Sequence, residues 1–99
     1  MNKWLNALGI SQKANKVVSG KRVLQEVRNN NVYLVLVASD AGKNTKKQLF
    51  DKTKYYNIPC YELCDSNLLS KAIGKNNRMY VGVIDPSLAE MVIKKIKEE

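Results

Sequence analysis

An α/β fold, with one sheet sandwiched between helices, is the architecture that this 99-residue sequence predicts. Three observations lead there. Helical and strand patterns alternate from end to end in the order α-β-α-β-α-β-α-β-α. Val32 to Ala38 is a continuous apolar run of seven residues, rich in β-formers, as expected of a strand buried on both faces. The chain also has room for one core and not two, burying roughly 60–65% of its unfolded surface. One domain over 1–99 is expected.

The elements follow in order. Asn2 can cap a helix from Lys3 to Ala14, with Trp4, Leu5, Leu8 and Gln12 along its inner stripe. Asn15 suits a left-handed terminator, and Val17-Val18 is then a short strand. Ser19-Gly20 opens a helix from Lys21 to Asn29, with Val23, Leu24 and Val27 on one face, and Asn29-Asn30-Asn31 stops it. The buried strand spans Val32 to Ser39. A polar loop, Asp40 to Asn44, leads to a helix from about Thr45 to Tyr56, ended by Asn57. Pro59 suits the start of a strand at Cys60 to Leu63. Ser66 caps a short helix carrying Leu68, Leu69, Ala72 and Ile73, and Gly74 terminates it. Lys75 to Arg78 form a loop before the strand Met79 to Ile84. Asp85-Pro86 then starts a helix as cap and first residue, with Leu88, Ala89, Val92, Ile93 and Ile96 at helical spacing.

Composition excludes several classes of function. Hydrophobic content of 44% with 26% charge is globular, not disordered. The longest apolar run falls far short of the ~20 residues of a membrane span, and the first six residues lack a signal peptide's apolar stretch. A cytoplasmic location is therefore expected. Cys60 and Cys64 are four apart with no histidine in the chain, which rules out the usual zinc sets. On a strand their sulfurs would share one face about 13 Å apart, too far for a disulfide, so reduced thiols are expected. Without histidine there is no Ser-His or Cys-His pair. Asp40, Asp51, Glu62, Asp65 and Asp85 share no motif. Gly42-Lys43-Asn44-Thr45 echoes a phosphate loop, but Val37 stands where its first glycine belongs and Asn44 where Ser/Thr is required. No enzyme, metal or cofactor is expected.

Charge points the other way. Seventeen Lys/Arg against nine Asp/Glu give +8. Residues 1–30 carry +5, residues 31–60 carry +3, and residues 61–99 balance. An excess confined to the first sixty residues suits a polyanion on one part of the surface, although a merely solvated surface has the same sum.

Three loops concentrate that charge. Ser19-Gly20-Lys21-Arg22 is a strand-to-helix turn whose free N–H groups favour phosphate, and arginine can pair with a guanine edge. Asp40 to Lys47 leaves the buried strand with Lys43, Lys46 and Lys47 beside a helix start. Gly74-Lys75-Asn76-Asn77-Arg78 precedes its strand, so it joins the same edge only if Met79–Ile84 runs antiparallel to Val32–Ser39. Taken singly, they also read as a capped helix start, a solvated lysine face and a turn.

Leu8 to Gly20, Leu36 to Ala41 followed by Asn44 to Lys47, Tyr56 to Pro59, and Leu69 to Lys75 with the strand end Val83-Ile84-Asp85 together resemble a known family. It is the kink-turn RNA-binding superfamily of archaeal ribosomal protein L-seven-Ae and eukaryotic L-thirty-e, and most of all its YlxQ-type bacterial ribosomal-like members. The resemblance spans nearly the whole chain. It implies a three-layer α/β/α sandwich with a mixed four-stranded sheet, and recognition of a sharply bent RNA through shape, phosphates and splayed bases. It also implies RNA-binding roles for Gly20, Lys21, Arg22 and Gln25, for Ile73, Gly74 and Lys75, and, in the loops beside them, for Asp40, Lys43 and Arg78. The archaeal pattern carries Asn-Glu in the second and third places after the glycine and lysine six after it. Here those places hold Arg22, Val23 and Glu26, and a helix start shorter by one residue puts Gln25 at the lysine's place.

The leading expectation is a monomeric RNA-binding protein that recognises a kink-turn-like bend in ribosomal or translation-related RNA, with the ribosome as one place of action and no membrane partner. The alternative is a protein-interaction module on the same fold that has lost specific RNA binding. Small-ligand binding has no dedicated motif.

Overall fold

A computed structural model describes residues 3–98. The cap predicted at Asn2 lies outside the described residues. Five helices and four strands alternate as α1 (Lys3–Lys13), β1 (Val17–Ser19), α2 (Lys21–Arg28), β2 (Leu34–Val37), α3 (Lys43–Tyr55), β3 (Cys60–Glu62), α4 (Ser66–Ala72), β4 (Tyr80–Val83) and α5 (Pro86–Lys97). The strands form one sheet in the order β1-β4-β2-β3. β2 runs parallel to β3 and antiparallel to β4, and β4 is antiparallel to β1, so the sheet is mixed as expected.

The alternation within β2 builds the three layers. Leu34, Leu36 and Ala38 enter a core with Trp4, Ala7 and Leu8 of α1, Leu69 of α4, and Ala89 and Val92 of α5. Val35 and Val37 point the other way, to Val23 and Val27 of α2 and Leu49 of α3. A strand with period two and both faces buried must carry apolar residues at every position, as LVLV does. Of the predicted run, only these four residues form the regular ladder. Its flanks are hydrogen-bonded without extending it, Val32 and Ala38 buried and Tyr33 and Ser39 exposed: Ala38 N–H donates to Met79 O at 2.7 Å and Ser39 N–H to Cys64 O at 3.0 Å.

Asparagine ends three of the helical segments as predicted, at Asn15 (φ 60°), Asn30 (φ 55°) and Asn57 (φ 58°). Three expectations are corrected. α3 starts at Lys43 and not Thr45, because Gly42 is extended and its carbonyl already accepts from Lys46 N–H at 3.0 Å. Asp65, not Ser66, caps α4, its carboxylate accepting from Leu68 N–H at 2.9 Å. Cys60 and Cys64 do not share a face, because β3 ends at Glu62: Cys60 packs on the α2–α3 side and Cys64 on the α1–α4–α5 side. Burial pushes the Cys60 thiol up to about 11 and raises that of Cys64, so both stay protonated at neutral pH. No helix among the described residues is long and apolar enough to cross a membrane.

Candidate nucleic-acid interface

Strand direction decides which loops meet. β1, β2 and β3 all end at the sheet edge where the antiparallel β4 begins. The condition set on the third loop is therefore met. Ser19 lies opposite Val81 and Val37 opposite Tyr80, which places Gly20, Ala38 and Met79 just past the strand ends at that edge.

Gly20 turns the chain there with φ 64° and ψ −141°, a conformation open to glycine and strained for other residues. No side chain caps α2, whose first turn begins Lys21-Arg22. Lys21, Arg22 and Gln25 are exposed and share one helical face. Glu26, one turn after Arg22, is held by asparagines. Its carboxylate accepts from Asn31 Nδ2 at 2.7 Å and Asn29 Nδ2 at 3.3 Å, bonds that hold its carboxyl below the usual range. Of the two residues that could stand at the archaeal lysine's place, Gln25 is thus the exposed one.

The third loop is built just as firmly. Gly74, at φ 67°, ends α4 with its N–H on Lys71 O at 3.1 Å, and Lys75 N–H donates to Ser70 O at 2.9 Å. The buried Ser70 hydroxyl accepts from Arg78 N–H at 2.8 Å and donates to Arg78 O at 3.2 Å, pinning the loop's far end to the helix before it. Between the first and third loops lies a cleft of about 180 Å3, lined by Gln12, Ser19, Arg22, Ile73, Lys75 and Arg78 with Val17 and Val18. Three cations and no acid face it. Among the described residues, Arg78 Nε is buried there without a hydrogen-bond partner, an unsatisfied donor beside a positive cleft.

The second loop is mostly tied inward. The Asp40 carboxylate accepts from Ser66 N–H at 2.8 Å and from the Ser66 hydroxyl at 2.7 Å, and these two bonds lower its pKa. Lys46 Nζ donates to Ser39 O at 2.6 Å and pairs with Glu62 at 3.2 Å. Lys43 stays exposed at the first position of α3, which no side chain caps.

Of the predicted residues, the structure gathers Arg22, Ile73, Lys75 and Arg78 in one cleft, with Gly20 and Gly74 shaping its walls. Lys21 and Gln25 continue along α2, Lys43 sits on the neighbouring loop, and Asp40 is engaged by Ser66. One lining residue is not visible as such in the sequence: Gln12, expected on the inner stripe of α1, lines the cleft.

The fold and this edge define a class: small α/β/α proteins that present a basic loop cleft at one end of a mixed sheet. The chain belongs to the ribosomal protein L7Ae/L30e/S12e/Gadd45 family, which matches residues 2–93. It is 36% identical to the RNA-binding protein YlxQ of Enterococcus faecium, over 97% of this chain and 89% of that one. It is 40% identical to the RNA-binding protein YlxQ of Bacillus subtilis, over 91% of each. A solved Bacillus halodurans structure, described as a protein with unknown function, is 37% identical with a TM-score of 0.94 and covers 98% of this chain and 99% of that one. The Giardia lamblia 15.5kD RNA binding protein shares the fold, with a TM-score of 0.79 at 17% identity, covering 95% of this chain and 82% of that one.

Proposed function

We propose that the protein binds a structured, sharply bent RNA across the edge formed by the Gly20 and Gly74 loops and holds the RNA in its bent form. The observation that carries this reading is the cleft that joins Arg22, Lys75 and Arg78 with no acid in its lining. The names of the two YlxQ relatives support the same class of ligand. RNA duplexes are read mainly through shape and phosphates, and bulged nucleotides through splayed bases. The uncapped start of α2 presents N–H groups with Lys21 and Arg22 to phosphate and guanine edges, while Ile73, Gly74 and Lys75 form a wall for an extruded base. Gln25 and Lys43 extend the contact to either side. Asp40 acts at the rim, where its carboxylate holds the loop in place.

The protein has no reaction to perform in this account. It binds the bent RNA better than the extended form, and the population shifts accordingly. It acts as a monomer in the cytoplasm on a kink-turn-like element of ribosomal or translation-related RNA. Titration of a kink-turn duplex and a straight duplex of equal length at two salt concentrations tests this. Tighter binding to the bent form, weakening steeply as salt rises, is the expected result. Equal affinity for both duplexes would overturn the bend-specific reading. Arg22→Ala should weaken binding to the bent RNA more than to the straight one, by about 1–3 kcal/mol if Arg22 reads a base edge.

A further inference from the structure

Away from the loop edge, the exposed aliphatic surface gathers in one place. A groove of about 450 Å3 runs between α1 and α4, lined by Leu5, Gly9, Ile10, Leu68 and Ala72 with Asn6, Lys13 and Lys71. Ile10 is 53% exposed and Leu68 38%, so two large aliphatic side chains face solvent in the same groove. α1 and α4 lie close at Gly9, where an added Cβ would stand 3.5 Å from Ala72 O, an ordinary contact. The lining carries two charges, both lysine, and among the described residues neither Lys13 nor Lys71 forms an ion pair.

We infer that this groove docks an amphipathic, acidic helical segment of a partner protein. An apolar floor between two helices receives anchors spaced at i, i+3/i+4 and i+7 of a third helix, and lysines at the rim select carboxylates beside those anchors. A second copy of this chain fits poorly. Its net charge is +8, so two copies repel each other on approach. RNA also fits poorly, because the lining offers no aromatic platform and the groove's floor is aliphatic. The inference does not depend on the RNA reading, since the groove uses none of the residues assigned to it.

The test uses two synthetic helix-forming peptides of about 16 residues, past the length at which an isolated helix is marginal, with identical leucine anchors. One carries glutamates beside the anchors and the other carries lysines. Each is titrated into the isotope-labelled protein while backbone amide shifts are followed. The glutamate peptide should shift Leu5, Gly9, Ile10, Leu68 and Ala72, and the lysine peptide should bind at least about tenfold more weakly. Ile10→Gln should weaken the glutamate peptide by about tenfold, and the double change Lys13→Glu with Lys71→Glu should reverse the preference between peptides. These positions are at the surface, and thermal unfolding of each variant confirms its fold. Binding by neither peptide, equal binding of both, or shifts in other residues would overturn the proposal. Shifts of these same residues on titrating the kink-turn duplex would assign the groove to RNA instead and would also overturn it.

Discussion

Four helix starts in this molecule solve one problem in two ways. α4 and α5 are closed by aspartates, Asp65 accepting from Leu68 N–H and Asp85 from Leu88 N–H, each at 2.9 Å. α2 and α3 begin at Gly20 and Gly42, with no side chain on their first amides. A start filled by its own carboxylate has less to offer an external anion, whereas an open start keeps its N–H groups and dipole available. The charge follows the same division. Lys21-Arg22 and Lys43 open the uncapped helices, while Ser66-Asn67 and Pro86-Ser87 open the capped ones. α4 begins at the same sheet edge as α2 and α3, and there Asp40 adds a second carboxylate. The edge thus has one closed and two open starts, which leaves α2 and α3 as the ones with free amides for an anion.

Gly20→Asp should give the largest effect, since it both strains the turn and closes the start. A non-glycine residue at φ 64° costs about 1–2 kcal/mol, read as a lower urea midpoint. Affinity for bent RNA should fall by at least about tenfold, since a carboxylate would occupy the phosphate's place. Unchanged RNA affinity would show that the open start of α2 is not where RNA sits.

Asp85→Ala removes a cap at the opposite end of the sheet and should cost about 1 kcal/mol of stability. RNA affinity should stay within about twofold, because the site's electrostatics are screened at that distance. Gly42→Asp should move the two readouts in opposite directions. Gly42 is extended, with open space around an added Cβ, so the new cap stabilises α3 by a few tenths of a kcal/mol. Binding should nonetheless weaken by roughly threefold from the added negative charge. Parallel changes in stability and affinity would break the link between closure and recognition.

Elements were more legible in the sequence than contacts. The apolar run around Leu36, the asparagine terminators and Asp85-Pro86 each carry a local physical cause, so order and type of element follow from them. Boundaries shifted where two residues compete for one role. Asp65 and Ser66 are both good caps, and the aspartate takes the helix amide while Asp40 takes the serine. The direction of β4 has no local signature, yet it decides whether the Gly74 loop reaches the Gly20 loop. Gln12 was hidden for a related reason: helical spacing places it inward, and only the packing of α1 near the Ile73 turn makes inward mean the cleft.

Asp40 supplies the smallest prediction and the finest test of the closed start. Two bonds from Ser66 hold its carboxyl below the usual range in the folded protein. A lowered folded pKa stabilises the protein at pH values above the unfolded carboxylate value of about 3.9, and that stabilisation is lost as pH falls through the folded value. Asp40 is exposed, so solvent screens the effect and it stays small. Asp40→Asn can keep one acceptor for Ser66 but has no proton to gain. From about pH 5 to about pH 2.5, the wild-type urea midpoint should therefore fall slightly more than that of Asp40→Asn. Parallel curves would mean that the carboxylate adds nothing to closing α4. Titrating the variant with bent RNA at neutral pH then separates the two roles open to Asp40. A residue that only closes α4 leaves RNA affinity equal or slightly higher once its charge is gone, whereas one that accepts a bond from RNA lowers it.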